Sequence, residues 1–207
     1  MLGETLTPWT VDRAYRKGYF VMGDGKEGPA YFYSTSLRAM LPIEGIRISR
    51  SLRRSLNKSC LLGAGDSCPK GPGLVVTFDR AFEAVMRGCQ RDEKVWITEE
   101  IIRVWTLIHQ EGWGHSCEVW KEGELVGGVY GVAIGACFCG ESMFHRATDA
   151  SKVALHFLLG KLRTLGFQMF DCQFINEHTR SLGAYEITQD EFLRRLRSVE
   201  HREIVWG

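Results

Sequence analysis

The stretch that most constrains the fold is residues 125–144, which read LVGGVYGVAIGACFCGESMF. Its apolar residues predict two strands, Leu125 to Tyr130 and Val132 to Cys139. Ser116 to Lys121 alternates apolar and polar residues and predicts a strand before them, with Glu122-Gly123 as the turn. Because glycine weakens a strand, the glycines here indicate β-bulges or close approach of a ligand to the backbone. The sequence therefore predicts an antiparallel meander.

Helical patterns flank this meander on both sides. Thr77 and Thr98 are predicted N-caps of two helices that precede it, and a helix from Thr148 or Asp149 to Gly166 follows it. The other predicted elements are a helix capped by Thr10 or Asp12 and ended by Gly18, strands at Tyr31-Phe32-Tyr33, Phe167 to Phe174 and Tyr185 to Ile187, a short helix closed by Gly183, and a last helix with the capping box Thr188 to Glu191. This order predicts an α+β fold, and it suits a GNAT-like acyltransferase sheet.

The chain is expected to divide near residue 73. Residues 61–73 are rich in glycine and proline and are predicted to form a hinge loop. We expect a small N-terminal domain, residues 1–73, that carries a basic helix and this loop. Residues 74–207 are expected to form a GNAT-like catalytic domain.

The composition is that of a globular protein. Apolar residues make up 44% of the 207 residues, charged residues 25%, and the formal net charge is +1. A net charge this small does not itself attract nucleic acid, so any such affinity needs a local patch. We find no apolar run of membrane-spanning length and no signal pattern in the first ten residues. The seven cysteines form no C-x-x-C pair, which argues against zinc and predicts a cytoplasmic or other reducing environment.

A local basic patch lies between Arg38 and Lys58. Its basic residues are accompanied by a single acid, Glu44, and they are Arg38, Arg47, Arg50, Arg53, Arg54 and Lys58. If Ile48 to Asn57 is helical, Arg50, Arg53 and Arg54 share one face by their spacing. This face is either an ordinary solvated helix face or a phosphate-binding surface for nucleic acid, and the residue pattern favours neither interpretation.

Two carboxylates, Glu141 and Asp171, occur in apolar runs. Because an unpaired buried carboxylate is costly, their positions indicate a functional site. If Asp171 and Gln173 share a strand face, they line one acidic cavity with Glu141, suited to a cationic group. A carboxylate with a raised pKa there could accept a proton from an ammonium, and Gln173 could hydrogen-bond an attacking amine or a carbonyl. The alternative is that Asp171 and Gln173 cap backbone donors.

Two other chemistries have weaker support. Cys172 is predicted to lie on the opposite strand face, and His145 and His178 have no nucleophile at a motif spacing, which argues against nucleophilic catalysis. Acetyltransferases of this topology place R/Q-x-x-G-x-G/A before a helix, but here Asp149 and Ser151 occupy the glycine positions. A carboxylate at that point would repel the pyrophosphate of coenzyme A.

In several segments the chain resembles the leucyl/phenylalanyl-tRNA–protein transferase family, over roughly residues 12–196. The segments that carry the resemblance are Ile48-Ser49-Arg50-Ser51, Trp96-Ile97-Thr98, Glu118-Val119-Trp120, Leu125 to Gly131, Phe138 to Phe144, Asp171-Cys172-Gln173, and Asn176 to Ala184. So many segments in one order are not expected by chance.

The resemblance implies transfer of Leu or Phe, less readily Met, from aminoacyl-tRNA to the N-terminal Arg or Lys of a protein, which marks that protein for degradation. It implies a monomeric cytoplasmic enzyme that needs no metal or coenzyme. Asp171 and Gln173 would be the catalytic pair and Glu141 a substrate-binding acid. Trp96 would stack near the tRNA 3′ adenosine, and Arg50, Arg53, Arg54 and Lys58 would hold the acceptor stem. The pocket for the transferred side chain would be lined by Val129, Phe138, Gly140, Ser142, Met143, Leu155, Leu158 and Phe170.

The sequence also departs from the family pattern. Phe32-Tyr33 replaces paired tryptophans, and Val129 replaces a pocket methionine, so the preference between Leu and Phe stays open. The competing hypotheses are a coenzyme A-dependent N-acyltransferase and a non-catalytic tRNA-binding module.

Overall fold

The structure is a computed structural model that describes residues 5–25, 28–62, 73–90 and 96–207. Within these ranges the chain forms a mixed α+β fold, which confirms the predicted class. The strands are β1 (Phe20–Gly23), β2 (Ala30–Tyr33), β3 (Leu37–Leu41), β4 (Cys60–Leu61), β5 (Val75–Phe78), β6 (Gly114–Lys121), β7 (Glu124–Ile134), β8 (Cys137–His145), β9 (Met169–Asp171) and β10 (Tyr185–Thr188). The helices are α1 (Pro8–Arg16), α2 (Arg50–Asn57), α3 (Phe82–Cys89), α4 (Glu99–Gln110), α5 (Ala150–Leu165), α6 (Glu177–Ser181) and α7 (Gln189–Val199).

One mixed sheet organises the molecule. Eight strands follow the order β10-β3-β9-β8-β7-β6-β5-β4, and β1 and β2 form a separate hairpin. The neighbours are antiparallel except for the parallel pairs β8–β9 and β4–β5. The pairing of β8 with β9 ends at Cys139 and Asp171. Beyond that pair β8 continues along β7 while the chain leaves β9, so the two segments separate there.

Helices cover both faces of the sheet. On one face α5 packs against β6, β7 and β8, and its buried residues Val153, Leu155, Leu158 and Leu162 belong to the core on that side. On the other face a second core joins apolar residues of α1, α3, α4 and α7, with Trp105 fully buried among them. Each of these helices presents an apolar stripe to the sheet, so burial of those stripes holds the layers together.

Several helix boundaries agree with the capping residues predicted from sequence. The Thr98 hydroxyl accepts the Ile101 N–H at the start of α4, and the Thr188 hydroxyl accepts the Glu191 N–H at the start of α7. The prediction for α1 is wrong by one turn, because Thr7 is its N-cap and forms a reciprocal capping box with Thr10. Thr77 caps no helix: it lies in β5 and donates its hydroxyl to the Glu118 carboxylate.

The meander is correct, but its strand boundaries differ from the prediction. Residues 124–134 form the single strand β7, and the chain reverses at Gly135, so Phe138 to Phe144 lies within β8. Gly131 does not end a strand. The structure has a β-bulge between Tyr130 and Gly131, where Tyr130 pairs with Ser142 and Gly131 pairs with Gly140. Glu141 is therefore the extra, unpaired residue of β8, and a bulge of this kind redirects a side chain.

The predicted strand over Phe167 to Phe174 is shorter than expected. It comprises only β9, and Gln173 has a φ of 55°, in the left-handed region. The argument that Asp171 and Gln173 share a strand face is therefore wrong, since Gln173 is not in a strand. The N-terminal boundary near residue 73 stays a prediction; β3 and β4, which precede it, are both strands of the large sheet. Most of the predicted hinge loop lies outside the described residues.

The cysteines differ in state. Cys89, Cys117, Cys137, Cys139 and Cys172 are free thiols. Cys60 is disulfide-bonded, and the expectation of a reducing environment stays a prediction. Among the described residues no helix is long and apolar enough to cross a membrane.

We predict that Gly131→Ala destabilises the protein by about 1–3 kcal/mol, as overpacking does. An added Cβ would overlap the Cys139 carbonyl oxygen and the Phe138 ring, which form the wall of the bulge. The matched control is Gly160→Ala in α5, where an added Cβ meets nothing within 4 Å. Because alanine is the better helix former, that change should stabilise by up to about 1 kcal/mol. The free energies of unfolding of both variants are measured by urea unfolding. Equal stability of Gly131→Ala and the wild type would contradict the bulge geometry.

Candidate active site

Two neighbouring cavities open where β8 and β9 separate. The larger has a volume of about 560 Å³ and the smaller about 340 Å³. They share a wall made by Glu141, Ser142, Cys172, Gln173, Phe174 and Asn176. The larger cavity extends towards α5 and α6, and the smaller extends towards β1 and Trp96. A shared wall with polar groups between two cavities is suited to a reaction between two bound groups.

Glu141 lies in this wall and is held by a tyrosine. The Tyr15 hydroxyl donates a hydrogen bond of 2.8 Å to Glu141 Oε1, and Tyr15 is itself buried in α1. The pKa of Glu141 is raised to about 8, chiefly by burial and also by the nearby Asp171 carboxylate, against the opposing effects of the Tyr15 hydrogen bond and of Arg38. Glu141 is therefore the one carboxyl group of the wall that can exchange a proton near neutral pH.

Asp171 lies behind the wall, in contact with an arginine. Arg38 donates from Nε to Asp171 Oδ1 at 2.8 Å and from Nη2 to Oδ2 at 2.6 Å. Both side chains are buried, with exposures of 1% and 0%. Arg38 also donates to the Gly18 carbonyl oxygen at 3.0 Å, and its guanidinium lies over the rings of Phe20 and Phe192. The pair joins β3 to β9 and balances the charge of each partner.

This pair corrects two predictions. Arg38 belongs to no solvated basic face: it lies in β3 and is fully buried. The expectation that Asp171 lines one acidic cavity with Glu141 and Gln173 is also wrong, because Asp171 lines neither cavity. Arg38 balances its charge, and Glu141 is the carboxylate that lines both cavities. The catalytic role assigned to Asp171 stays a prediction.

Gln173 is held in a strained turn at the shared wall. Its N–H donates to Asp171 Oδ1 at 2.9 Å, and the Phe174 N–H donates to the Cys172 carbonyl oxygen at 2.6 Å, which closes a γ-turn around Gln173. A non-glycine residue with φ of 55° is uncommon and is often found at functional sites. Gln173 Nε2 is buried and has no partner among the described residues. Its amide is therefore available to a bound ligand.

The predicted side-chain pocket is mostly present. Six of its residues line the larger cavity: Val129, Gly140, Ser142, Met143, Leu155 and Phe170. Phe138 and Leu158 do not line it; both are fully buried, and Phe138 stacks on Phe170 with ring centroids 5.7 Å apart. They pack behind the residues that line the larger cavity. Gly140 lies where a Cβ would contact the Phe170 ring at 2.7 Å, so glycine keeps the cavity floor in place.

The structure supports neither nucleophilic catalysis by Cys172 nor binding of coenzyme A at the start of α5. Burial raises the pKa of the Cys172 thiol, whose Sγ donates to the Ala39 carbonyl oxygen at 3.3 Å, so little thiolate is available for attack. Asp149 lies before α5 and accepts hydrogen bonds from Ser51 at 2.7 Å, Ser55 at 3.2 Å and Lys152 at 3.2 Å. A carboxylate therefore lies at the helix end where coenzyme A enzymes bind pyrophosphate, which confirms its predicted location.

The basic residues of α2 are exposed. Arg50, Arg53, Arg54 and Lys58 are all solvent-exposed, whereas Leu52 on the opposite side of the helix is 1% exposed. None of the four forms an ion pair with another residue of the described ranges. The bonds from Ser51 and Ser55 to Asp149 attach α2 to the start of α5. This exposed face, Arg50, Arg53, Arg54 and Lys58, is free to bind an anionic partner.

Sequence reasoning missed several residues of the site. Tyr15 and Arg38 hold the two carboxylates, but they are 126 and 133 residues away from their partners in the chain. Leu41, His145, Ser151, Phe174, Asn176, His178 and Thr179 also line the larger cavity. The Asn176 side chain caps α6 through the Thr179 N–H at 2.8 Å, and that cap was a signal available in the sequence.

Comparison with known protein families gives a match that includes Glu141, Asp171 and Gln173. The family model described as leucyl/phenylalanyl-tRNA protein transferase matches residues 40–197. Relatives bearing the name leucyl/phenylalanyl-tRNA–protein transferase include one from Paramagnetospirillum magneticum, 43% identical over 92% of this chain and 89% of its own length. One from Novosphingobium aromaticivorans is 41% identical over 92% of this chain and 70% of its own length, and one from Chlorobaculum parvum is 42% identical over 89% and 90%.

A DUF2156 domain from Agrobacterium fabrum is similar in structure at a TM-score of 0.42 and 13% identity, over 96% of this chain and 60% of that chain; this similarity is too low to support an argument. The family match covers β3 to α7, including Glu141, Asp171 and Gln173. The chain therefore belongs to the leucyl/phenylalanyl-tRNA–protein transferase family.

Proposed function

We propose that this protein transfers Leu or Phe, and less readily Met, from aminoacyl-tRNA to the N-terminal Arg or Lys of acceptor proteins. The observation that carries the proposal is the wall between the two cavities, in which Glu141 and the unpaired Gln173 amide face both compartments. One compartment has the apolar lining that a Leu or Phe side chain requires. The transferred residue would mark the acceptor for degradation.

The reaction is aminolysis of an ester. The acceptor α-amine attacks the aminoacyl carbonyl carbon, a C–N bond forms, the C–O bond to the tRNA ribose breaks, and the ribose oxygen leaves with a proton. An ester is more reactive than an amide, so holding amine and ester in the correct geometry supplies much of the acceleration. The enzyme therefore needs a positioned polar wall and no covalent intermediate.

Glu141 accepts the proton that the ammonium must lose. An α-ammonium has an ordinary pKa of about 7.7–8.0, and the pKa of Glu141 is about 8, so proton transfer between them is nearly balanced. Tyr15 keeps the carboxylate oriented through its hydroxyl. A cationic acceptor beside Glu141 favours the ionised form of its carboxyl group, and the carboxylate then attracts the acceptor before the proton moves.

Gln173 acts on the reacting atoms and Asp171 acts through Gln173. The Gln173 amide can donate Nε2–H to the ester carbonyl oxygen, where negative charge develops, and it can accept from the amine. Asp171 fixes the Gln173 backbone by accepting its N–H, and Arg38 fixes Asp171. In this assignment Asp171 is a positioning residue.

In this proposal the two cavities bind different parts of the aminoacyl-tRNA. We place the transferred side chain in the larger cavity, against Val129, Met143, Leu155 and Phe170, with Phe138 and Leu158 supporting them. We place the 3′ adenosine in the smaller cavity, where Trp96 can stack on the base. The exposed basic face of α2 then binds the phosphates of the acceptor stem. A GNAT-like catalytic domain after residue 73 and a small domain before it complete the proposal.

A transfer assay tests this function. We predict that labelled Leu and Phe are incorporated from charged tRNA into a peptide that begins with Arg and not into one that begins with Asp. Gln173→Gly removes the side-chain amide and should lower incorporation by about 100-fold or more, as loss of an oxyanion donor does. Glycine adopts the left-handed backbone conformation without strain, so the variant should keep the turn.

The matched control for that variant is Gln168→Gly, at a glutamine outside both cavities, which should keep wild-type transfer. Filter binding of charged tRNA should be unchanged in both variants. Incorporation into neither peptide by the wild type, with tRNA binding intact, would leave only a tRNA-binding module. Wild-type turnover in Gln173→Gly would overturn the role of the amide.

The raised pKa of Glu141 predicts a stability that depends on pH. The unfolded carboxyl ionises near pH 4.5, whereas the folded carboxyl keeps its proton to about pH 8. The folded state therefore binds more protons between these values, so its stability falls as pH rises from about 4.5 to about 8. Glu141→Gln removes this loss, worth on the order of a few kcal/mol at about 1.4 kcal/mol per pKa unit.

Melting temperatures of the wild type and of Glu141→Gln at pH 5, 6, 7 and 8 provide the measurement. With each step up in pH, the melting temperature of Glu141→Gln should rise relative to that of the wild type. The variant should also lose transfer activity. Glu203→Gln, at an exposed carboxylate, is the control and should differ from the wild type by the same amount at every pH. A difference for Glu141→Gln that does not change with pH would contradict the raised pKa of this carboxyl group.

A further inference from the structure

Three metal-ligating side chains meet away from the two cavities. Asp79 follows β5, His109 lies in the last turn of α4, and His115 lies near the start of β6. One ligand atom from each residue lies within 4.8 Å of the other two. The three residues line neither cavity of the candidate active site.

The tautomer of His109 leaves a lone pair for a ligand. Its Nδ1 lies 2.7 Å from the Gly114 carbonyl oxygen. A carbonyl oxygen can only accept, so Nδ1 carries the proton and, in the neutral ring, Nε2 has the free lone pair. Metal-bound histidines have this arrangement, with the second nitrogen donating to a carbonyl or carboxylate. The ring is fixed by stacking on Phe82, with centroids 4.5 Å apart and planes nearly parallel at 1°.

His115 and Asp79 are held close together and in fixed orientations. His115 Nδ1 lies 2.9 Å from Asp79 Oδ2, and the His115 ring stacks on Trp206 with centroids 3.6 Å apart. Two ligands about 2.1 Å from one zinc ion are about 3.4 Å apart at the tetrahedral angle. Binding an ion therefore requires these two atoms, 2.9 Å apart, to separate by only about half an ångström. The Ser116 N–H holds the other Asp79 oxygen at 2.7 Å.

The backbone and the local charge also favour a cation. Asp79 has a φ of 58°, and such strain is retained where the surroundings fix a side chain. The buried Glu118 carboxylate lies nearby and repels Asp79, and its hydrogen-bond donors are the Ser116 and Thr77 hydroxyls and the Arg80 backbone, which are uncharged. A bound cation would reduce this repulsion between carboxylates.

We propose that Asp79, His109 and His115 bind one divalent first-row transition-metal ion, with zinc or cobalt as the matching class. Two imidazoles and one carboxylate form a ligand set that these ions prefer, and a water completes the tetrahedron. The ligands come from three separate elements, so the ion connects the β5–α3 junction, α4 and β6. Its role is structural and is independent of the proposed transferase activity. A scan for C-x-x-C spacing misses it because none of the three ligands is a cysteine.

Cobalt and zinc titrations test the site. Tag-free protein is treated with chelator, desalted, and titrated with Co²⁺ while visible absorption is recorded, and Zn²⁺ is then added in competition. We predict saturation at one equivalent and displacement by zinc. The melting temperature should rise by about 5–10 °C when free zinc is about 100-fold above its Kd.

Three shape-conserving variants and one control locate the ion. Asp79→Asn, His109→Gln and His115→Gln should each weaken cobalt binding by more than about tenfold, since even indirect partners of metal ligands are worth that much. His201→Gln, at an exposed imidazole outside the cluster, should bind as the wild type does. Absence of saturable one-to-one binding by the wild type would overturn the proposal, whether or not the variants fold. Unchanged affinity in the folded variants would also overturn it.

Discussion

The buried ion pair between Arg38 and Asp171 is the interaction on which the site depends. It joins β3 to the neighbouring strand β9, and each buried charge is compensated by the other. Arg38 also binds the Gly18 carbonyl oxygen after α1, and Asp171 binds the Gln173 N–H. The strands, the end of α1 and the strained turn that presents Gln173 are thus fixed together by one pair of side chains.

The two polar residues of the wall between the cavities, Glu141 and Gln173, occur where the sheet is irregular. Glu141 is the unpaired residue of a β-bulge, and Gln173 is the centre of a left-handed turn directly after the last residue of β9. Neither arrangement is the most stable local structure, and the half-buried Glu141 carboxyl also has a raised pKa. Such departures are tolerated where the surroundings impose them, and they cluster at functional sites. Here the surroundings are the tyrosine that holds Glu141 and the ion pair behind Gln173.

The sequence predicted the elements better than it predicted the contacts between them. The meander, the Thr98 and Thr188 caps and α5 follow from local patterns, and those patterns are also correct in the structure. Arg38 shows why the site could not be completed, because its partner Asp171 is 133 residues away in the chain and no local pattern connects the two. Thr77 and Gly131 were misjudged for a similar reason, since the bonding partner of one and the bulge of the other are set by neighbouring strands.

A double-mutant cycle on the ion pair tests the central claim most directly. Unfolding free energies and transfer rates are measured for Arg38→Met, Asp171→Leu and the double variant. We predict that each single change costs about 3–5 kcal/mol, because it leaves a buried charge unpaired, and that the double variant is much more stable than the sum implies. Transfer should stay lost in the double variant, since the Gln173 N–H then has no acceptor. Additivity to within about 0.5 kcal/mol, or wild-type transfer in the double variant, would contradict the account.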